Sequence, residues 1–147
     1  MSDELGKGWF RHDFVFGKEA EDLNGHVNNI EYVRVMQDVA ILHVEALGVG
    51  MEWLRERGWT WVVRKHEIEY LKPCHAGEAL QVYTWVEDFH RFRSRRRYRF
   101  VREADGAVLA EAETEWIFVD FEKGRVRSIP EEVLGAFPVT GEAARPG

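Results

Sequence analysis

The most continuous apolar pattern in the chain lies between residues 30 and 47. Val33, Met36, Ala40, His43, Val44 and Leu47 recur at three- and four-residue intervals, the spacing of one helix face. Val35, Val39, Ile41 and Leu42 fill much of the remaining circumference, and a helix apolar nearly all round is buried rather than laid on a surface. Gly48 and Gly50 stop it. At about 1.5 Å per residue, a helix over 30–47 is roughly 27 Å long.

Beyond residue 58 the period changes from helical to alternating. WTWVVRKHEIEYL (59–71), ALQVYTWVEDF (79–89), SRRRYRFVR (94–102) and AVLAEAETEWIFVDF (107–121) read as strands. The last two are joined around Ala104-Asp105-Gly106, a hairpin signal. Phe14 to Phe16 suggest a short first strand, followed by a loop over 17–29, and RVRSI (125–129) extends the sheet or lies on its edge. Residues 51–58 form a connection with a helical turn. PEEVLGAF (130–137) opens with Pro and acids, as short helices do. The expected class is α+β: one antiparallel sheet of five or six strands wrapped around one long central helix, the simplest way to bury that helix on several sides. So few strands do not close around it, and a second copy of the chain is expected to cover the rest.

Length and composition narrow the reading. The 147 residues are the size of one domain, with an expected ordered core over about 10–137 and flexible ends at 1–9 and 140–147. A hydrophobic content of 45% argues for a packed core, and the net charge of −6 argues against wholesale nucleic-acid binding. Cys74 is the only cysteine, which rules out an intrachain disulfide and fits a reducing compartment. The first residues carry charge rather than an apolar signal segment, and no apolar run reaches 18 residues. The expected location is the cytoplasm, without a membrane partner.

Candidate chemistry concentrates just before the helix, in Asp22-Leu-Asn-Gly-His26-Val-Asn28-Asn29. One reading is structural. Asn28 three residues before Glu31 fits a capping box, Gly25 suits a turn, and Asp22 is stabilised by the helix dipole. The other is chemical. Free N–H groups of a first helical turn can polarise a carbonyl and hold an oxyanion, and a carboxylate just upstream can act as base or nucleophile. Asp22 is the acid in that position.

The stretch from Asp22 to Tyr32, with its Val-Asn-Asn and Tyr, resembles the hotdog-fold acyl-CoA thioesterases, most of all the 4-hydroxybenzoyl-CoA thioesterase type and its long-chain acyl-CoA relatives. Val63 to Gly77 (VRKHEIEYLKPCHAG) resembles that family's second strand, with Tyr-x-x-Pro and a following Gly. The resemblance covers roughly residues 10–137. It implies a hotdog fold and an acyl-CoA thioesterase that cleaves acyl-CoA to acid and CoA. Asp22 would attack the thioester carbonyl or activate water, and the Asn29 N–H would polarise the thioester oxygen. His26 and Asn28 would line the same turn and orient Asp22 or a water. Some relatives carry His where Asn29 stands, so any role of that His is absent or moved here. The resemblance implies no metal and no bound cofactor, coenzyme A being part of the substrate. It also implies a homodimer or homotetramer with the reaction site between subunits.

The basic run HRFRSRRRYRF (90–100) is explained in large part by pairing. A turn at 104–106 sets Arg99 opposite Glu111, Arg97 opposite Glu113 and Arg95 opposite Glu115, a ladder of opposite charges on one face. His90, Arg91 and Arg93 lie before the ladder without such partners. The resembled family places basic residues at this turn, and an alternating basic pair near the last strand, to hold the phosphates of coenzyme A. Arg125 and Arg127 match that pair.

Other features carry less. His66 and His75 fit no standard ligand spacing with His26. Trp53, Trp59 and Trp61 read as core. Cys74 has no recognisable base. Gln37 and Asp38 could replace an acid carried on the helix by other hotdog thioesterases, although solvent or interface roles fit their spacing better. Two rival functions stand beside hydrolysis. Enoyl-CoA hydratases of this fold carry Asp-x-Asn-Pro-x-His, which Asp22-Leu-Asn24-Gly-His26 approaches with the Pro missing and the His one residue early. A non-catalytic acyl-CoA or acyl-carrier binder is the second rival. Acyl-carrier protein is also an alternative donor for the hydrolase.

Overall fold

A computed structural model describes residues 8–138. The expected flexible ends fall mainly on 1–7 and 139–147, outside the described residues. Trp9, expected in the flexible end, instead begins β1 (Trp9–Val15). The long helix, α1, spans Asn29–Ala46, and α2 spans Met51–Glu56. Four long strands follow: β2 (Trp59–Tyr70), β3 (Ala79–His90), β4 (Arg93–Arg102) and β5 (Val108–Asp120). A two-residue β6 (Arg125–Val126) and a short α3 (Glu131–Leu134) complete the fold. The sheet runs β1-β3-β4-β5-β2, antiparallel throughout, with β6 on β5. This is the hotdog arrangement: one curled sheet against one long helix.

Alternation decides which residues the sheet turns towards α1. Leu80, Val82, Tyr98, Phe100, Leu109, Ala110 and Ala112 are buried against Tyr32, Met36 and Val39 of the helix. Leu54, Phe118, Ile129 and Val133 form a second cluster, with Trp53, Trp59 and Trp61 packed on it half-buried. The three tryptophans therefore lie at the rim of the core. The helix is buried on one side only in the single chain. Ile30 and Leu42 are exposed, and Val33, Val35 and Ile41 are half-buried.

The start of α1 carries half of the expected capping box. The Asn28 side chain accepts from the Ile30 N–H at 3.0 Å, but the Asn28 N–H donates to the Ala20 carbonyl at 2.8 Å. That donor is thus unavailable to Glu31, whose carboxylate lies 3.6 Å from Arg34. Asn28→Ala removes the side-chain acceptor of the Ile30 N–H and is expected to cost about 1 kcal/mol, read as a lower urea midpoint with unchanged slope.

Candidate active site

The loop before α1 is stitched to the segment that follows β2. Val27 N–H donates to the Cys74 carbonyl at 2.9 Å, and Ala76 N–H to Glu21 Oε2 at 3.0 Å. His75 Nδ1 donates to the Gly25 carbonyl at 2.8 Å, and its ring lies 5.1 Å from that of His26. Gly25 adopts φ +78°, which a side chain would strain. Within the loop, Asp22 N–H donates to the His26 carbonyl, and Gly25 N–H to the Asp22 carbonyl. Asp22 Oδ1 accepts the Asn24 N–H at 2.9 Å, and no protein donor bonds Oδ2 among the described residues.

These bonds set Asp22, Asn24, His26 and Asn29 around one cleft of about 310 Å³, closed on the other side by Tyr70 to Pro73. Asp22 is half-buried and Asn29 exposed. As the first helical residue, Asn29 has an N–H without an intrahelical acceptor. Asn28 stands beside the cleft as the cap. Tyr70 hydroxyl donates to the Asn29 carbonyl at 2.9 Å and so ties β2 to the helix start. Tyr32 closes the cleft floor, its hydroxyl 3.3 Å from Cys74 Sγ. Burial pushes both the Tyr32 phenol and the Cys74 thiol upward, and Cys74 is an inert core group. No group of His, Cys, Asp or Glu able to hold a metal occurs among the described residues. His66 instead meets Thr114 Oγ1 at 2.8 Å.

The basic candidates gather at the other end of the sheet. His90 and Arg93 flank a two-residue turn in which Arg91 has φ +56°, a conformation usually left to glycine. Ile129 N–H donates to the Arg91 carbonyl at 2.9 Å, which brings Arg125 and Arg127 beside the turn. Arg127 lies over the Trp59 ring at 4.9 Å. The fold thus joins the two basic groups to each other. It does not join them to Asp22 of the same chain: the cleft lies by the start of β3 and the turn at its end, about 36 Å away along a twelve-residue strand.

Two expectations about the run are corrected. Arg93 has a partner, Glu115 at 3.4 Å, because β4 begins one residue earlier than the pattern suggests. Arg95 is registered opposite Glu115, but its side chain crosses to Asp88 on β3 at 2.8 Å. The other rungs form: Arg97 with Glu113 at 3.0 Å and Arg99 with Glu111 at 3.4 Å, while Arg97 also meets Glu87. Arg96 was missed as a separate case. It points inward and is buried, as the strand alternation that puts Arg95 and Arg97 outside requires.

The model of the thioesterase-like superfamily matches residues 17–137. The chain belongs to that superfamily. It is 29% identical over 117 residues to a putative acyl-CoA thioesterase, YneP, of Bacillus subtilis, covering 80% of this chain and 81% of that protein. It is 24% identical to the chloroplastic oleoyl-acyl carrier protein thioesterase 2 of Arabidopsis thaliana over 88% of its own length, but spans only 37% of that protein. Among solved structures, the hypothetical protein SAV2348 from Staphylococcus aureus, in complex with CoA, superposes with a TM-score of 0.81 at 19% identity. That match covers 87% of this chain and 80% of the other. Among the described residues no helix is long and apolar enough to cross a membrane.

Proposed function

We propose that the thioesterase-like chain hydrolyses acyl-CoA thioesters in the cleft before α1. The observation that carries this reading is the convergence of a carboxylate, Asp22, and the first N–H of the long helix on one cleft. Asp22 takes a proton from water, whose oxygen bonds to the thioester carbonyl carbon. The resulting oxyanion is held by the Asn29 N–H. Collapse breaks the C–S bond, and the proton on Asp22 passes to the departing thiolate. Direct attack by Asp22 gives a mixed anhydride that water then opens, with the same net products, acid and thiol. His26, exposed beside the cleft, orients the carboxylate or the water. A panel of acyl-CoAs, short to long and aromatic, tests the reading by free-thiol release. No turnover on any member would sink it.

A second reading, acyl-carrier protein as donor, is favoured by the match to an acyl carrier protein thioesterase over most of this chain. The same acyl groups presented on a carrier protein separate the two.

The distance between cleft and basic turn bears on assembly. On this reading the phosphates held by His90, Arg91, Arg93, Arg125 and Arg127 and the thioester held near Asp22 belong to one substrate only if two chains contribute. β2 offers the edge. Among the described residues it pairs with β5 alone, and Val62 and Val63 on it are 44% and 36% exposed, an open edge that invites another strand. Light scattering is expected to give two or four chains per particle. Val62→Lys, a charge on the edge, is expected to lower both mass and turnover. A wild-type monomer that turns over substrate would overturn the shared site.

A further inference from the structure

Arg96 is the one arginine of the basic run that the fold turns inward, against α1. It is 3% exposed. Its Nη1 donates to His43 Nδ1 at 2.8 Å and to Thr84 Oγ1 at 3.0 Å. Both acceptors are neutral, since burial, and then the guanidinium itself, hold the His43 imidazole down to about 2. Among the described residues no carboxylate pairs with Arg96, and burial opposes its charge. Buried charges in folded proteins are otherwise paired or coordinated, so this cation lacks its counterpart among the described residues.

Arg96 is also one of the residues lining a cavity of about 80 Å³ between the middle of α1 and the sheet. Ser94 and Gln37 add polar edges, and Ile41, Trp61 and Trp116 are among the apolar walls. No acid lines it among the described residues. The cavity is distinct from the Asp22 cleft, and its lining begins eight residues beyond Asn29, roughly 12 Å along the helix. A forked cation at the wall of a small apolar pocket complements one chemical class well: a carboxylate on a short apolar body.

We propose that this pocket binds the carboxylate of a small organic acid, with Arg96 as its cation. The carboxylate is that of a free acid, such as the reaction on the thioesterase reading releases: Arg96 sits beside His43, roughly 21 Å along α1 from Asn29, beyond the reach of a short acyl chain held at the cleft.

Calorimetry measures hexanoate binding, with hexanol as the uncharged control, to wild type, Arg96→Met and Met51→Trp. Met51 is 39% exposed at the pocket wall, so the second variant blocks the cavity without touching the buried network, should Arg96→Met fail to fold. Saturable hexanoate binding that weakens at least tenfold in the variants supports a free-acid site. Binding that is absent in wild type, equal for hexanol, or unchanged in the variants overturns the proposal. The calorimetry does not depend on turnover, so the hydrolase reading stands or falls separately.

Discussion

Asp22→Asn is expected to reduce thiol release from the preferred acyl-CoA by about 10²- to 10⁴-fold, the range for losing a positioned general base. Asn is the informative replacement. Its side-chain oxygen can still accept the Asn24 N–H that Asp22 Oδ1 holds at 2.9 Å, so the turn and the start of α1 keep their shape. The amide can neither take a proton from water nor attack a carbonyl. Thermal unfolding is therefore expected to match wild type within about 0.5 kcal/mol, as for changes away from packing and caps. A fall in kcat with KM little changed would locate the loss in the reaction step. Unchanged turnover would return Asp22 to the role of a turn residue and leave the cleft without its base.

Phe100→Ala is expected to have the largest effect on folding, about 3–5 kcal/mol, against a total of about 5–15 kcal/mol for a typical domain. Phe100 is fully buried on the inner face of β4. Its ring stands 5.0 Å from that of Tyr32 on α1 and 6.2 Å from that of Phe14 on β1. One side chain thus joins an edge strand, the sheet centre and the helix beneath the cleft. Removing it leaves a cavity where three elements meet. Urea unfolding followed by tryptophan fluorescence measures the loss. A loss below about 1 kcal/mol would mean that the neighbours collapse into the space and that the packing there is looser than the ring geometry implies.

The legible parts of the fold were those where period and composition agree. The 3.6-residue recurrence from Val33 to Leu47 gave α1 within one residue at each end, Asn29–Ala46. The alternation of RRRYRF against EAETE gave the pairing of Arg99 with Glu111 and Arg97 with Glu113. In the site, the Asp22 loop and the Tyr-x-x-Pro segment stood out because both carry unusual residue sets, and the structure puts them on one cleft. What was not legible depended on partners distant in sequence. The Asn28 N–H is taken by Ala20 and the Arg95 side chain by Asp88, choices that only the packed geometry makes. β1 was read too short because Trp9-Phe-Arg-His-Asp mixes polar and aromatic residues, as an edge strand permits. Arg96 was hidden by its neighbours: five arginines in seven residues look like one surface, although the pleat sends alternate residues inward and Arg96 is one of them.

The charge ladder on the outer face of β3, β4 and β5 also changes what the chain shows to its surroundings as it folds. Before the sheet forms, residues 90–100 are a cationic peptide, with the acids that will face them lying at 87–88 and 111–115. A polyanion such as RNA would find a basic tract of the kind it ordinarily binds. Once the sheet closes, Arg93, Arg95, Arg97 and Arg99 each sit against a carboxylate, and Arg96 is inside. Affinity of the Arg93–Arg99 tract for long polyanions is thus a property of the unfolded chain that folding switches off, leaving the basic turn at His90 and Arg91. Nucleic acid carried along with a preparation would be a mark of incompletely folded protein and not of a biological partner.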